Sequence, residues 1–150
     1  MPKIYLDNCC YNRPFDEQSQ DLILLETEAK LIIQSRIKQG LHDLVWSFML
    51  ASENDENPSD DKKEAIQSWA SIADEYCPAS PDVLAEAKEF MQIGLRHKDA
   101  IHLACAIKCQ CDYLITTDRK FINKNRYVDA IEIINPVTFI FETEECNENG

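Results

Sequence analysis

Four acidic residues stand close to the ends or starts of predicted elements, and their side chains are the ones best suited to chemistry. Asp7 ends the apolar run Ile4-Tyr5-Leu6, and Asp118 comes just after Tyr113-Leu114-Ile115-Thr116. Asp99 lies in the first turn of the helical pattern that leads into that second run, and Glu53 lies in the short apolar helix after Leu44-Val45-Trp46-Ser47. Carboxylates that converge repel one another, so their pKa values rise unless a cation neutralises them. Oxygen-only donors favour hard ions, which points to Mg²⁺ or Mn²⁺. One or two such ions lower the pKa of a bound water and clamp the reacting oxygens of a phosphodiester. Nothing in the sequence signals a covalent nucleophile.

For these acids to meet, the elements carrying them must end on one edge. The pattern predicts strands at Ile4–Leu6, Leu44–Ser47, Tyr113–Thr116 and Ile131–Ile134, with Val137–Phe141 as a short edge piece. Helices are expected from Asp21 to Gln39, stopped by Gly40, and from Phe48 to about Asn54. Others run from a Ser59 cap to roughly Glu75, from Ser80-Pro81 to Ile93, and from Lys98 to Lys108. Short strands separated by helical stretches imply βαβ crossovers, hence an α/β fold with a parallel sheet of four to five strands and helices on both faces. Ligands of such sheets bind outside the carboxyl ends of the strands, which is where Asp7 and Asp118 fall. A single domain over residues 1–141 is expected, with a polar, frayed tail at 142–150.

Composition narrows the function classes. The chain has 150 residues, is 45% hydrophobic and has only three glycines, which suits one compact domain. It has no apolar run of membrane-spanning length and no signal-peptide core, so a cytoplasmic setting is expected. The seven cysteines are odd in number and lack a C-x₂-C spacing, so they read as reduced thiols; Cys9 stands out by its place beside Asp7. A net charge of −12 argues against bulk coating of nucleic acid. The charge is uneven, however. Arg96 to Arg126 holds seven basic residues against three acids, a local +4, and leaves −16 in the rest. That segment can hold a phosphate backbone locally, or it can be ordinary solvated helix ends.

Taken together, the motifs resemble those of PIN-domain nucleases. The resemblance is carried by Ile4-Tyr5-Leu6-Asp7, Ser52-Glu53-Asn54, Lys98-Asp99-Ala100-Ile101-His102-Leu103-Ala104 and Leu114-Ile115-Thr116-Thr117-Asp118-Arg119-Lys120-Phe121. It covers nearly the whole chain in matching order. It implies a three-layer α/β/α sandwich, Mg²⁺- or Mn²⁺-dependent cleavage of RNA and, in compact members, the toxin of a type II toxin–antitoxin pair. By the same resemblance Asp7, Glu53, Asp99 and Asp118 match metal-ligating acids. Thr116 matches a hydroxyl that orients the last acid or a water. Asn8-Cys9-Cys10 departs from the small hydroxyl residue more often found after the first acid.

Other residues near these motifs carry weaker expectations. Asp55 and Glu56 rival Glu53, and His102 reads as a helix-surface or interface histidine. Arg96, Lys98 and Arg119 either touch phosphate or are solvated, while Tyr11, Arg13 and Phe15 form a loop that could stack on a base or simply pack. Apolar stripes on the Asp21–Gln39 and Ser59–Glu75 helices suggest a homodimer or an antitoxin groove. A haloacid-dehalogenase-type phosphotransferase would want a second Asp where Cys9 stands, and a receiver domain a late Lys where Asn135-Pro136 ends the last strand. The remaining alternative is a PIN-fold binding or regulatory protein with little or no nuclease activity.

Overall fold

The computed structural model describes residues 1–16, 18 and 20–149, with the side chains of Phe15 and residues 145–149 outside the description. Five strands, β1 (Lys3–Leu6), β2 (Asp43–Ser47), β3 (Glu75–Cys77), β4 (Tyr113–Ile115) and β5 (Glu132–Ile134), form one sheet in the order β3-β2-β1-β4-β5. Every pairing is parallel. Parallel neighbours need crossover connections, and the helices supply them. They are α1 (Asn8–Asn12), α2 (Asp21–Lys38), α3 (Phe48–Asp55), α4 (Asp60–Ile72), α5 (Pro81–Gln92), α6 (His97–Lys108), α7 (Arg119–Asn123) and α8 (Pro136–Asn149).

Strand parity divides the core into two layers of helices. Ile4 pairs with Tyr113, whose ring packs edge-on against Phe139 of α8. Trp46 shares that face, in edge-to-face contact with Tyr11 of α1, and α2 packs against α8 there. Tyr5 points the other way, toward His102 of α6, which itself packs on α5. The sandwich is therefore three-layered. The central strands β1, β2 and β4 are buried almost throughout, as strands covered on both faces must be.

Three expectations from the sequence are corrected. Val137–Phe141 is helical, because Asn135-Pro136 starts an element as well as stopping one: the Asn135 side chain accepts from Val137 N at 2.8 Å, and Pro136 fills the first helical position. The helix then runs through Asn149. The Ser59-capped helix ends at Ile72, and Glu75–Cys77 forms β3, too short and too exposed to show alternation. Ile66 and Trp69 of that helix are buried, so its apolar stripe belongs to the core. By contrast α2 leaves Leu24, Leu25, Leu31 and Ile32 exposed, Leu25 at 52% and Leu31 at 50%. Its buried face holds Glu26 and Lys30 beside Ala29, Ile33 and Ile37, with Glu26 satisfied by Arg13 and by Asn135 Nδ2 at 2.7 Å. Among the described residues no helix is long and apolar enough to cross a membrane, and all six described cysteines are free thiols.

Candidate active site

All four acids line one cleft of about 430 Å³ at the carboxyl edge of the sheet, together with Asn8, Cys9, Arg96, His97 and Lys98. Asp7 is delivered by β1. Its backbone N–H extends the ladder by donating to Ile115 O at 2.9 Å, and its side chain caps α1 through Asn8 N at 2.8 Å. Asp118 caps α7 in the same way, accepting from Lys120 N at 2.9 Å. Asp99 sits in the first turn of α6, where the helix dipole favours a negative charge. Glu53 lies on α3, which Ser47 at the end of β2 caps through Leu50 N. Of the rivals considered, Asp55 does not line this cleft, and Glu56 lines only a neighbouring one with Asn8, Asn12 and Asn57.

Thr116 links the two strand-end acids. Its buried hydroxyl donates to Asp7 Oδ2 at 2.8 Å and accepts from the Asp118 backbone N–H at 3.2 Å. The Cys9 thiol lies 3.5 Å from Asp7 Oδ2 and accepts from Thr117 N at 3.3 Å. A second sulfur contact thus fastens the β4 loop to β1. Asn8, at the departure from the family pattern, donates its amide to Glu53 Oε2 at 3.2 Å.

His102 is not a surface residue. It is buried beneath the cleft, its Nε2 bonded to Glu53 Oε1 and 3.5 Å from Asp7 Oδ1. Its Nδ1 meets the Tyr5 hydroxyl at 2.5 Å, and Tyr5 in turn meets Ser47 Oγ at 2.6 Å. Burial lowers the His102 pKa, but Asp7 and then Glu53 and Asp99 outweigh it, and the net shift is upward. The signal available in the sequence was helical spacing: three residues after Asp99 places His102 on the same side of α6. What it could not show is that this side faces inward.

Asp99 reports the electrostatics of the cleft. Burial first, then the charges of Asp7 and Asp118, push its carboxyl up to about 6, against weaker opposing pulls from His102 and Arg96. The cluster therefore carries negative charge in excess of its local cations. Oxygen donors under mutual repulsion suit a hard divalent cation in kind. Yet among the described residues no three His, Cys, Asp or Glu side chains close into a ready metal cage. The internal contacts explain this: Glu53 turns to His102 and Asn8, and Asp118 Oδ1 to the start of α7. The loop residues also fall differently from expectation. Tyr11 is buried in the core, Arg13 pairs with Glu26 and Asp16, and the Phe15 side chain lies outside the described residues. Arg96 and Lys98 line the cleft, with Lys98 also 3.8 Å from Glu56, whereas Arg119 is an exposed residue that does not.

Comparison with known proteins places the fold. No family model matches the sequence, and no curated protein matches it either. Among solved structures, a chain from the crystal structure of VapBC2 from Rickettsia felis, bound to a DNA fragment from the promoter, aligns with a TM-score of 0.54 at 13% identity. The alignment covers 89% of this chain and 98% of that one. The fold is shared. At that identity the likeness speaks to architecture, and the PIN-like α/β fold expected from the sequence is the one adopted.

Two outcomes follow from the charge balance. Asp99→Asn raises Tm at pH 7.5 in chelator, because a like charge is removed. A raised folded-state pKa means the folded protein holds its proton more tightly than the unfolded chain, so wild-type stability falls as pH rises through about 6. The advantage of Asp99→Asn accordingly shrinks when melting is repeated at pH 5. His102→Leu strips the buried donor from Glu53 and lowers stability by about 3 kcal/mol in urea denaturation. Adding Glu53→Gln recovers part of that loss, and strict additivity of the two changes would refute the coupling.

Proposed function

We propose that the protein is a metal-dependent ribonuclease that hydrolyses RNA phosphodiester bonds with water. The observation that carries this reading is the convergence of Asp7, Glu53, Asp99 and Asp118, from four separate segments, on one open cleft. The sequence resemblance to PIN-domain nucleases supports it independently, since the motif acids it singles out are the ones lining that cleft.

Asp7, Asp99 and Asp118, with Glu53, would hold Mg²⁺ or Mn²⁺. Such an ion, when bound, supplies Lewis acidity that acidifies water and offsets charge on the phosphodiester. The chain's own residues do the positioning. Thr116 fixes Asp7 and the turn before Asp118, while Asn8 and His102 hold Glu53 at the rim. Arg96 and Lys98, which line the same cleft, meet the substrate's negative charge, a role the acids by themselves would oppose.

The shared fold with the VapBC2 chain, together with the resemblance to toxins of type II pairs, supports an antitoxin as partner in a cytoplasmic toxin–antitoxin system. The exposed Leu24, Leu25, Leu31 and Ile32 stripe on α2 supports a homodimer. A dimer mass by light scattering that drops to the monomer mass in Leu25→Lys/Leu31→Lys is expected. A wild-type monomer at micromolar concentration would count against the homodimer.

Purified protein incubated with single-stranded and structured RNA is expected to cleave in Mn²⁺ or Mg²⁺ and to stop in chelator. Asp7→Asn and Asp118→Asn should each reduce cleavage by at least about 100-fold, the scale expected when a group that stabilises the transition state is removed. Absence of cleavage by wild type in every metal, with RNA still bound, would instead favour a binding or regulatory protein.

A further inference from the structure

A second cleft, of about 290 Å³, opens directly beside the acidic one and shares Arg96 and Asp99 with it. Lys120 and Lys124 lie on its far wall and Gly94 on its near one. We propose that this cleft is a subsite for the phosphate of an RNA strand next to the one cleaved, held by Arg96, Lys120 and Lys124. The proposal rests on the ribonuclease reading for its register but has its own observations.

The first observation is charge. With 27 acids against 15 lysines and arginines, a cation in this chain has many possible partners. Lys3, Arg13, Arg36, Lys98 and Lys108 each pair with a carboxylate. Among the described residues several other cations, Lys30 and Lys88 among them, also form no such pair; Arg96, Lys120 and Lys124 are set apart by lining this one cleft together. Arg96 already acts on Asp99, but Lys120 and Lys124 stand beside it with no carboxylate of their own, and such cations repel one another unless an anion joins them. Asp99 alone brings negative charge to the lining, and it sits at the end shared with the acid cluster.

The second observation is the backbone of Gly94. Its φ of +99° is a conformation that side-chain-bearing residues rarely adopt. A Cβ there would stand 2.7 Å from Lys124 Nζ and 3.3 Å from its Cε. That backbone closes α5, with Gly94 N donating to Met91 O and Leu95 N to Phe90 O, and the bare Cα also leaves room for the end of the Lys124 side chain. The same ammonium is 5.7 Å from the Tyr127 ring centroid, a contact that steadies it without neutralising it.

The third observation is continuity. Another cleft of about 290 Å³ shares Asn8, Glu53 and Lys98 with the acidic one and is further lined by Asn12, Asn54, Asn57 and Glu56. The acidic cleft thus adjoins a cationic cleft through Arg96 and Asp99, and one of mixed amides and carboxylates through Asn8 and Glu53. A strand running through them meets three cations in the first and, in the second, only Lys98, which already lies 3.8 Å from Glu56.

The test measures binding of a fluorescein-labelled single-stranded RNA by anisotropy, in chelator, across a salt series. Lys120→Gln/Lys124→Gln is expected to weaken binding roughly tenfold at low salt. It should also reduce the slope of log Kd against log salt by roughly 0.7 per lysine, the value for phosphate contacts on single strands. Lys88→Gln, an equal loss of charge per residue on α5 outside the lining of this cleft, should bind as wild type. Wild-type affinity and slope in the double variant overturn the subsite, as does failure of wild type to bind RNA at all. Cleavage in Mn²⁺ together with lysine-independent binding removes the subsite and leaves the nuclease reading intact. Lysine-dependent binding without cleavage supports the subsite and removes the nuclease reading.

Discussion

The imidazole of His102 lies where three of the four acid-bearing elements meet, and its contacts hold them in register. Through Nε2 it engages Glu53 on α3 and approaches Asp7 at the end of β1; through Nδ1 it engages Tyr5, two residues earlier on the same strand. Tyr5 passes the connection to Ser47, which closes β2 and caps α3. Since His102 sits on α6 three residues beyond Asp99, one buried chain of hydrogen bonds fixes the relative positions of Asp7, Glu53 and Asp99. In a low-dielectric interior such a chain is strong when every member is satisfied and expensive when one is lost. Burial also holds the Tyr5 hydroxyl well above its ordinary pKa, so it stays a neutral hydrogen-bonding link.

Asp118, the remaining acid, is tied in from the other side. Thr116 bridges its backbone to the Asp7 carboxylate, and the Cys9 thiol accepts from Thr117. Asp7 is consequently the common point of both networks, buried and contacted by donors on each oxygen. The other acids are more open to the cleft. A site assembled this way gathers an excess of carboxylates, four around one buried imidazole, and burial first, then the charges of Asp7 and Asp118, hold the Asp99 carboxyl up. That excess is the physical reason a hard cation and an adjacent cationic cleft fit the proposed chemistry. It is also why the basic residues matter at this edge even though the whole chain carries −12.

Polar groups are placed inside the fold for structural reasons as well. Glu26 on the buried face of α2 is held by Arg13 and Asn135, which joins the loop after α1 to the start of α8. The buried face of α2 mixes Glu26 and Lys30 with Ala29, Ile33 and Ile37, while Leu24, Leu25, Leu31 and Ile32 face outward, and an exposed apolar stripe of that kind asks for a partner. Stability and association are thus coupled through one helix.

Much of this was legible in the residues themselves. Apolar runs ending at Asp7 and Thr117-Asp118 marked strand ends, and alternation of short strands with helices made a parallel sheet the consistent arrangement; local pattern and covalent order suffice for that. The motif series brought Glu53 and Asp99 to the same cleft. Tertiary packing decided the rest. Whether His102 faced water or the core depended on which face of α6 met β1, a contact between residues far apart in sequence. Tyr11, which reads locally as a loop aromatic, is claimed by Trp46 across the sheet. The α2 stripe and the α4 stripe look alike as sequence, yet only the second is covered, because burial depends on what lies opposite and not on the helix's own period. The pairing of Gly94 with Lys124, and with it the cationic cleft, likewise exists only once the turn between α5 and α6 meets the residues after α7.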